Sequence, residues 1–256
     1  MTAFSTDEFH MVLGEWVWVK PFHETPAKVP NRPFRSGRRP NLFSRPSLHS
    51  AVKNLRDIIG DIEARLDEKD EVRELALKSS RAIARLSSSA IHGLHKGEDS
   101  DAPLREAREE AMKLHSVLEG HPELYHSGFV ENALQELCEA AIVHAIARGK
   151  PLPGPRDCEA TDASYLLGLG DAVGELRRFA LEELRRGNVG GAADHLKTME
   201  DIFDVLVRFD YPSALVALKR KQDVARSLIE KTRGEVAVAT RGKALEDKID
   251  GLTGRL

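Results

Sequence analysis

The sequence predicts an all-α protein, and three observations support this fold class. Charged residues make up 31% of the 256 residues and hydrophobic residues 41%, whereas aromatic residues make up only 5%. A composition of this kind, with many Ala, Leu, Glu and Arg residues, is typical of helical proteins. From Ser47 onward, apolar residues recur with the period of an α-helix, and no strand-rich segment or internal repeat is evident. The chain is long enough for one large domain or two small ones.

Charge and cysteine content exclude several function classes. The formal net charge is -3, so binding to nucleic acid would require a local basic patch. The two cysteines, Cys138 and Cys158, match no zinc spacing and imply no disulfide framework, which favours a reducing cytoplasm. No apolar run is long enough to span a membrane, and no signal-peptide pattern is present. We therefore expect a cytoplasmic protein that has no membrane partner.

Residues 1–46 differ from the rest of the chain. Both tryptophans lie in MVLGEWVWVKPF, which alternates weakly as a strand does. Between His23 and Pro46, five prolines exclude a helix and five arginines make the segment basic. We expect a Pro/Arg-rich extension that is disordered. The alternatives are a basic arm that contacts nucleic acid or a neighbouring subunit, and an incorrectly assigned start codon.

The remainder, 47–240, is predicted to form one helical domain that is followed by a C-terminal tail, 241–256. Loops rich in glycine, proline and polar residues divide the pattern into successive helices. The first two segments form either one long helix or two helices with a bend near 67–70. The predicted helices are Ser47–Leu66, Glu71–Leu94, Ala102–Leu118, Tyr125–Arg148, Ala160–Arg186, Gly191–Phe209 and Ser213–Ala239.

The helix Tyr125–Arg148 carries the first pair of candidate site residues. After Leu137 its sequence is apolar almost all round, which predicts a helix buried among its neighbours. Glu136 and Glu139 nevertheless lie three residues apart on it. Since burying an unpartnered carboxylate is very costly, an arginine, a shared proton or a cation is expected beside them.

The helix Ala160–Arg186 carries the second pair, Asp171 and Glu175. Thr161 or Asp162 can cap its start, and its apolar residues form one stripe that faces away from the two acids. Three glycines flank these acids, although a glycine inside a helix costs roughly 1 kcal/mol against alanine. They indicate that another element passes close by, and they are Gly168, Gly170 and Gly174.

The short link between these two helices predicts an antiparallel pair in contact. Four converging carboxylates would form a site for a hard cation such as Mg²⁺, which activates water and neutralises charge on a phosphate. The alternatives are solvated acids on an exposed face, or a structural network in which Arg177, Arg178 or His144 pairs with them.

The best candidate for a nucleic-acid patch is KSSRAIARLSSSAIHGLHKG. Arg81 and Arg85 lie four residues apart, and His92, His95 and Lys96 lie further along the same predicted helix. Arginines at this spacing can follow successive phosphates. The alternative is an ordinary solvated face. The segment GLGDAVG is no phosphate-binding loop, because it lies inside a helix and follows no strand.

Four motifs together resemble the translin/Trax family, in particular its archaeal Trax-like members, over roughly 47–234. They are LQELCEA, DASYLLGLGDAVGELRR, the RGN turn at Gly187, and YPSALVALKRKQDVARSLIEKTRGEV. The resemblance implies a seven-helix, all-α bundle that assembles into a closed octameric barrel. It also implies binding of single-stranded RNA and DNA, and Mg²⁺-dependent endoribonuclease activity for Trax-type subunits.

The acidic residues decide between the two branches of the family. Trax-type chains carry Q-E-x-x-E-A and D-x-x-G-E, whereas translin-type chains lack most of these acids and serve mainly as binders. Glu136, Glu139, Asp171 and Glu175 all match the catalytic pattern. The resemblance therefore implies a homo-octameric endoribonuclease in which these four acids hold Mg²⁺, or Mn²⁺ in its place. The alternatives are a translin-like single-stranded RNA- and DNA-binding oligomer without turnover, and a structural helical scaffold.

Overall fold

A computed structural model of the chain describes residues 9–12, 15–18, 52 and 54–253. The chain divides into two compact units, residues 1–54 and 55–256. In the first unit, strands β1 (Phe9–Val12) and β2 (Glu15–Trp18) form an antiparallel hairpin. The strand-like alternation around the tryptophans is thereby confirmed. The expected disorder of the extension otherwise concerns residues outside the described ones, and it stays a prediction.

The second unit is helical throughout its described elements, which confirms the all-α fold class. A short 3₁₀-helix, Pro155–Cys158, lies between the fourth and fifth α-helices. The seven α-helices that the structure describes are α1 (Leu55–Lys96), α2 (Asp101–Val117), α3 (Pro122–Tyr125), α4 (Gly128–Ala147), α5 (Asp162–Arg185), α6 (Val189–Leu206) and α7 (Lys219–Thr253).

The first two predicted helices form the single helix α1. Its described part begins at Leu55, and it continues through 67–70 without a bend that ends it. Its first half does not contribute to the core, although its apolar residues share a helical face. These residues are between 37% and 58% exposed, and they are Leu55, Ile58, Ile59, Ile62 and Leu66. We call them the apolar row of α1.

The start of the last helix differs from its prediction. The prediction that it begins at Ser213 is wrong, because a turn follows Pro212 and α7 begins only at Lys219. The buried side chain of Gln222 donates hydrogen bonds to the carbonyl oxygens of Leu206 and Phe209, which secures the end of α6. The expected tail from residue 241 continues the same helix to residue 253.

Helix α4 lies at the centre of the core and packs against α1, α2 and α5. Eleven of its residues are buried, which confirms the prediction made from its apolar sequence. Helix α5 in turn packs against α6 and α7 as well. Thr161 caps α5 by accepting a hydrogen bond from the backbone N–H of Ser164, as predicted. The polar residues of α4 and α5 therefore meet inside the molecule.

Helices α4 and α5 run parallel, so the prediction of an antiparallel pair is wrong. Near the start of both helices, Ser164 Oγ donates to Glu131 Oε2 at 3.0 Å. Further along both helices, Gln135 Nε2 donates to Asp171 Oδ2 at 2.6 Å. Contact positions that advance together along two helices define a parallel arrangement.

The link between α4 and α5 explains this orientation, because it returns along α4 to the start of that helix. The Tyr165 hydroxyl donates to the carbonyl of Pro153, early in the link. The Tyr125 hydroxyl, just before α4, donates to the carbonyl of Glu159, late in the link. Residues 148–161 therefore carry the chain back before α5 begins.

Candidate active site

The four predicted acids line one cavity of about 450 Å³. Glu136 and Glu139 reach it from α4, and Asp171 and Glu175 reach it from α5. Helix α1 closes one side of it. The other lining residues are Ser88, Ile91, His92, Gln135 and Arg178. The parallel register of α4 and α5 brings the two pairs of acids to the same level.

Close neighbours explain why two of the three positions in α5 are glycine. A Cβ atom on Gly168 would lie 2.6 Å from the carbonyl oxygen of Gln135 and 2.9 Å from Cys138 Cβ. A Cβ atom on Gly170 would lie 2.9 Å from Lys221 Cβ, on α7. Gly174 differs, because a Cβ atom there would meet nothing closer than 3.9 Å. The expectation of a close neighbour is thus confirmed at two positions.

The two acids of α5 have cationic or polar partners. Asp171 accepts hydrogen bonds from Gln135 and from the ammonium group of Lys221. Glu175 Oε2 lies 2.5 Å from His95 Nε2 and 3.7 Å from an Arg178 nitrogen. Each carboxylate is therefore held by side chains from outside its own helix.

The structural network considered from the sequence involves other partners. Arg177 instead pairs with Glu235 at 2.9 Å, and His144 lies 2.9 Å from Asp101. Of the three suggested cations, only Arg178 lies near the acids. Lys221 was missed because it follows Glu175 by more than forty residues, and only the cost of buried charge indicated that some cation was required.

The two acids of α4 have no such partners. Within the described part of the chain, Glu136 and Glu139 make no side-chain hydrogen bond or ion pair. Burial, and then the charges of Asp171, Glu175 and Glu136, raises the pKa of Glu139 to about 8, although Lys221 opposes this rise. Burial and Asp171 also raise the pKa of Glu136. A carboxyl group with a pKa of about 8 is mostly protonated at pH 7, so the cavity does not stabilise four carboxylate charges without a further cation.

The donor set of the cavity suits a hard divalent cation, since Mg²⁺ and Mn²⁺ prefer carboxylate oxygens. As the side chains stand, however, no three His, Cys, Asp or Glu residues among the described ones are arranged to hold a metal ion. The hydrogen bonds explain this, because Asp171 is engaged by Lys221 and Glu175 by His95. The chemistry of the four residues fits the cation, and Asp171 and Glu175 are at present paired with internal cations.

The basic residues predicted to bind nucleic acid fall into two groups. Four of them are exposed and share one face of α1, because their spacing returns them to nearly the same angle at 100° per residue. His92 also lines the acid cavity, about 16 Å along the axis from Arg81 at 1.5 Å per residue. We call these four the basic row: Arg81, Arg85, His92 and Lys96.

His95 does not belong to the basic row. Its side chain is only 8% exposed, it stacks on Phe179 with ring centroids 4.2 Å apart, and it contacts Glu175. The structure thus groups His95 with the acids and away from the exposed surface of α1. The spacing of histidines in the sequence could not distinguish His95 from its exposed neighbour His92.

Comparisons with known proteins agree with this fold. No family model matches the chain. An uncharacterized protein of Methanocaldococcus jannaschii is 35% identical over 188 residues, which cover 72% of this chain and 83% of that protein. The structure of AfC3PO in complex with duplex RNA is 33% identical, with a TM-score of 0.61 and coverage of 73% of this chain and 98% of that one.

A crystal structure of AfC3PO is 34% identical, with a TM-score of 0.62 and the same coverage. A crystal structure of apo-NeC3PO is 22% identical, with a TM-score of 0.64, and covers 71% of this chain and 96% of that one. This last likeness concerns the fold alone.

The helical fold and the acid-lined cavity define an all-α protein whose central helices carry a polar site. Together with the likeness to AfC3PO over nearly the whole of that chain, they establish the relationship. The chain belongs to the translin/Trax family, as its motifs indicate. None of its described helices is long and apolar enough to cross a membrane.

Proposed function

We propose that this protein is a Mg²⁺-dependent endoribonuclease of the Trax type that acts on single-stranded or nicked-duplex RNA. The observation that carries the proposal is the convergence of four carboxylates on one cavity beside the basic row of α1. Family membership supports it, as does a relative whose structure is a complex with duplex RNA. Single-stranded DNA is the second ligand that the family relationship suggests.

In this proposal Glu136, Glu139, Asp171 and Glu175 hold the divalent cation. When bound, Mg²⁺ or Mn²⁺ activates water and neutralises the charge that develops on the phosphate during displacement. The unpaired carboxyl groups of Glu136 and Glu139 support this assignment, since a bound cation would offset the cost of ionising them beside the other acids. Lys221 and His95 hold the other two acids until the cation binds.

In this proposal the basic row binds the phosphate backbone of the RNA. Arg81, Arg85 and Lys96 are exposed, and His92 lies at the edge of the cavity. Phosphate contacts position a nucleic acid without reading its sequence. A single strand that follows this row would reach the acids at His92. We expect binding to weaken steeply with salt concentration, as phosphate contacts do.

The second candidate function is a translin-like oligomer that binds single-stranded RNA or DNA without cutting it. One observation favours it: Asp171 and Glu175 already have internal partners in Lys221 and His95. A site whose charge is partly compensated in this way requires a cation to displace those partners. The two functions are distinguished by turnover.

A cleavage assay on single-stranded RNA tests the proposal. We expect cutting in Mg²⁺, none in EDTA, and a loss of at least about a hundredfold in the Glu139→Gln variant, because altering even the surroundings of a metal site costs 10–100-fold. The variant should still retain RNA in a filter-binding assay. Glu119→Gln, at an exposed position outside the cavity, is the matched control. Full-rate cutting in EDTA would refute the mechanism, and RNA binding without any Mg²⁺-dependent cutting would establish the binding function.

We also propose that the protein forms a homo-octamer. The apolar row of α1 supports an assembly, because contiguous exposed apolar surface marks sites of protein contact. Val238, Leu245 and Leu252 give the end of α7 a similar exposed face. Light scattering should give eight times the 28.4 kDa mass of one chain. A monomeric mass at micromolar concentration would contradict the proposal.

A further inference from the structure

A second cavity of about 450 Å³ lies between α2, α4 and the link that follows α4. It shares no lining residue with the acid cavity. Its lining includes Ala141 and Ala145 of α4, which at 100° per residue lie on nearly the opposite face from Glu136 and Glu139. The second cavity is therefore a separate site on the far side of α4.

Three cations line this second cavity: Arg105 and Arg108 from α2, and Lys150 from the link. Lys150 makes no ion pair with any described residue, and the nearest acid to Arg105 is Glu109, with N and O 3.9 Å apart. The Nε atom of Arg108 is buried and has no hydrogen-bond partner among the described residues. A buried donor that lacks a partner is costly, so the Nε–H group of Arg108 requires a hydrogen-bond acceptor.

The two acids of the second cavity do not fulfil that need, because both have internal partners. Asp101 Oδ1 lies 2.9 Å from His144 Nε2, and Asp101 Oδ2 accepts a hydrogen bond from Arg148 at 3.3 Å. Asp157 Oδ2 accepts a hydrogen bond from the backbone N–H of Gly154 at 2.7 Å. The bond from a neutral backbone N–H leaves the charge of Asp157 in place, so the lining holds three cations against two acids and keeps a positive surplus.

The remaining wall is apolar. Leu104 is buried beneath the cavity, and Pro151, Leu152 and Pro153 form its edge. Cavities of about 300–1,000 Å³ that combine apolar walls with a few convergent polar groups are typical small-ligand sites. Two guanidinium groups and an ammonium group beside such a wall match a ligand with a phosphate and a flat apolar part.

We propose that the second cavity binds a phosphate-bearing ligand of nucleotide size, with the phosphate held by Arg108, Lys150 and Arg105. The phosphate belongs either to a free nucleotide or to the backbone of an RNA strand. The proposal does not rest on the acid cavity, and it holds whether or not the protein cuts RNA.

Isothermal titration of the full-length protein in Mg²⁺-free buffer tests this site with two probes, AMP and a short RNA without a terminal phosphate. The variants are Lys150→Gln and Arg108→Gln. Arg241→Gln is the control, because it removes the same charge from an exposed position on α7. We expect both site variants to weaken binding by at least about tenfold, as loss of a charge-assisted hydrogen bond does, and the control to bind as the wild type does.

The two probes distinguish the two sources of the phosphate. Tight AMP binding that both site variants lose identifies a free nucleotide. RNA binding that both variants weaken, without binding of AMP, identifies the strand backbone. If neither probe binds, or if Lys150→Gln binds both probes as tightly as the wild type, the proposal is overturned. Lys150 is exposed, so this variant gives a decision even if Arg108→Gln does not fold.

Discussion

Helix α4 separates two cavities of equal size, one lined by four acids and one in which three cations outnumber two acids. On one face, Glu136 and Glu139 lie unpaired beside Asp171 and Glu175, and burial with neighbouring carboxylates raises the pKa of both. On the other face, three cations outnumber two acids, and the buried Nε atom of Arg108 has no hydrogen-bond partner among the described residues. A buried helix can carry both sets of ionisable groups because each set lines a cavity that a ligand of opposite charge can enter. The difference shows that opposite faces of one helix can line sites suited to ligands of opposite charge.

The largest expected effect comes from adding a side-chain atom between α4 and α5, beside the acid cavity. Gly168→Ala would place a Cβ atom 2.6 Å from a backbone oxygen of α4, so the helices must separate. We expect the free energy of unfolding to fall by about 1–3 kcal/mol, the usual cost of overpacking. Urea denaturation measures this change, and the same variant should also lose divalent-cation binding.

Gly174→Ala is the control for this comparison, because its Cβ atom would meet nothing closer than 3.9 Å. Replacing a helical glycine without a clash should raise the free energy of unfolding by up to about 1 kcal/mol. Equal stability changes of the same sign in both variants would contradict our account of the α4–α5 contact.

A smaller effect should follow from removing the internal cation of the acid cavity. Lys221→Met leaves Asp171 without its ion pair and increases the negative charge of the cavity. We expect Mn²⁺ to bind up to about tenfold more tightly in calorimetry, since one neighbouring unit charge is worth a few kcal/mol before screening. AMP binding should not change, because Lys221 does not line the second cavity.

The matched control is Lys231→Met, at an exposed position of the same helix. If both lysine variants tighten Mn²⁺ binding equally, the effect reflects net charge and not the contact with Asp171. Weaker Mn²⁺ binding in Lys221→Met would show that Lys221 orders the site for the metal instead of competing with it.

Much of the fold could be predicted from the sequence, because apolar periodicity is a local signal. The stripe of α5, its Thr161 cap and the buried character of α4 all follow from neighbouring residues. The parallel direction of α4 and α5 could not be predicted in this way. It depends on the path of 148–161, which is fixed by long-range hydrogen bonds such as that from the Tyr165 hydroxyl to Pro153.

The candidate site could be predicted in part for the same reason. The four acids were recognisable because each pair is close in sequence: one lies in an otherwise apolar helix, and the other lies among glycines opposite an apolar stripe. Lys221 and the burial of His95 were not, since both depend on contacts between distant segments. The exposure of the apolar row of α1 could not be predicted either, because a sequence shows that a helical face is apolar but does not show what covers it.

Helix α1 extends over 42 residues, or about 63 Å at 1.5 Å per residue. Its first half presents the apolar row, and its last turns present His92 and His95 to the acids. A continuous helix transmits a tilt from one end to the other. If a neighbouring chain packs against the apolar row, a tilt of α1 at that contact would also shift His92 and His95 relative to the acids, several helical turns away.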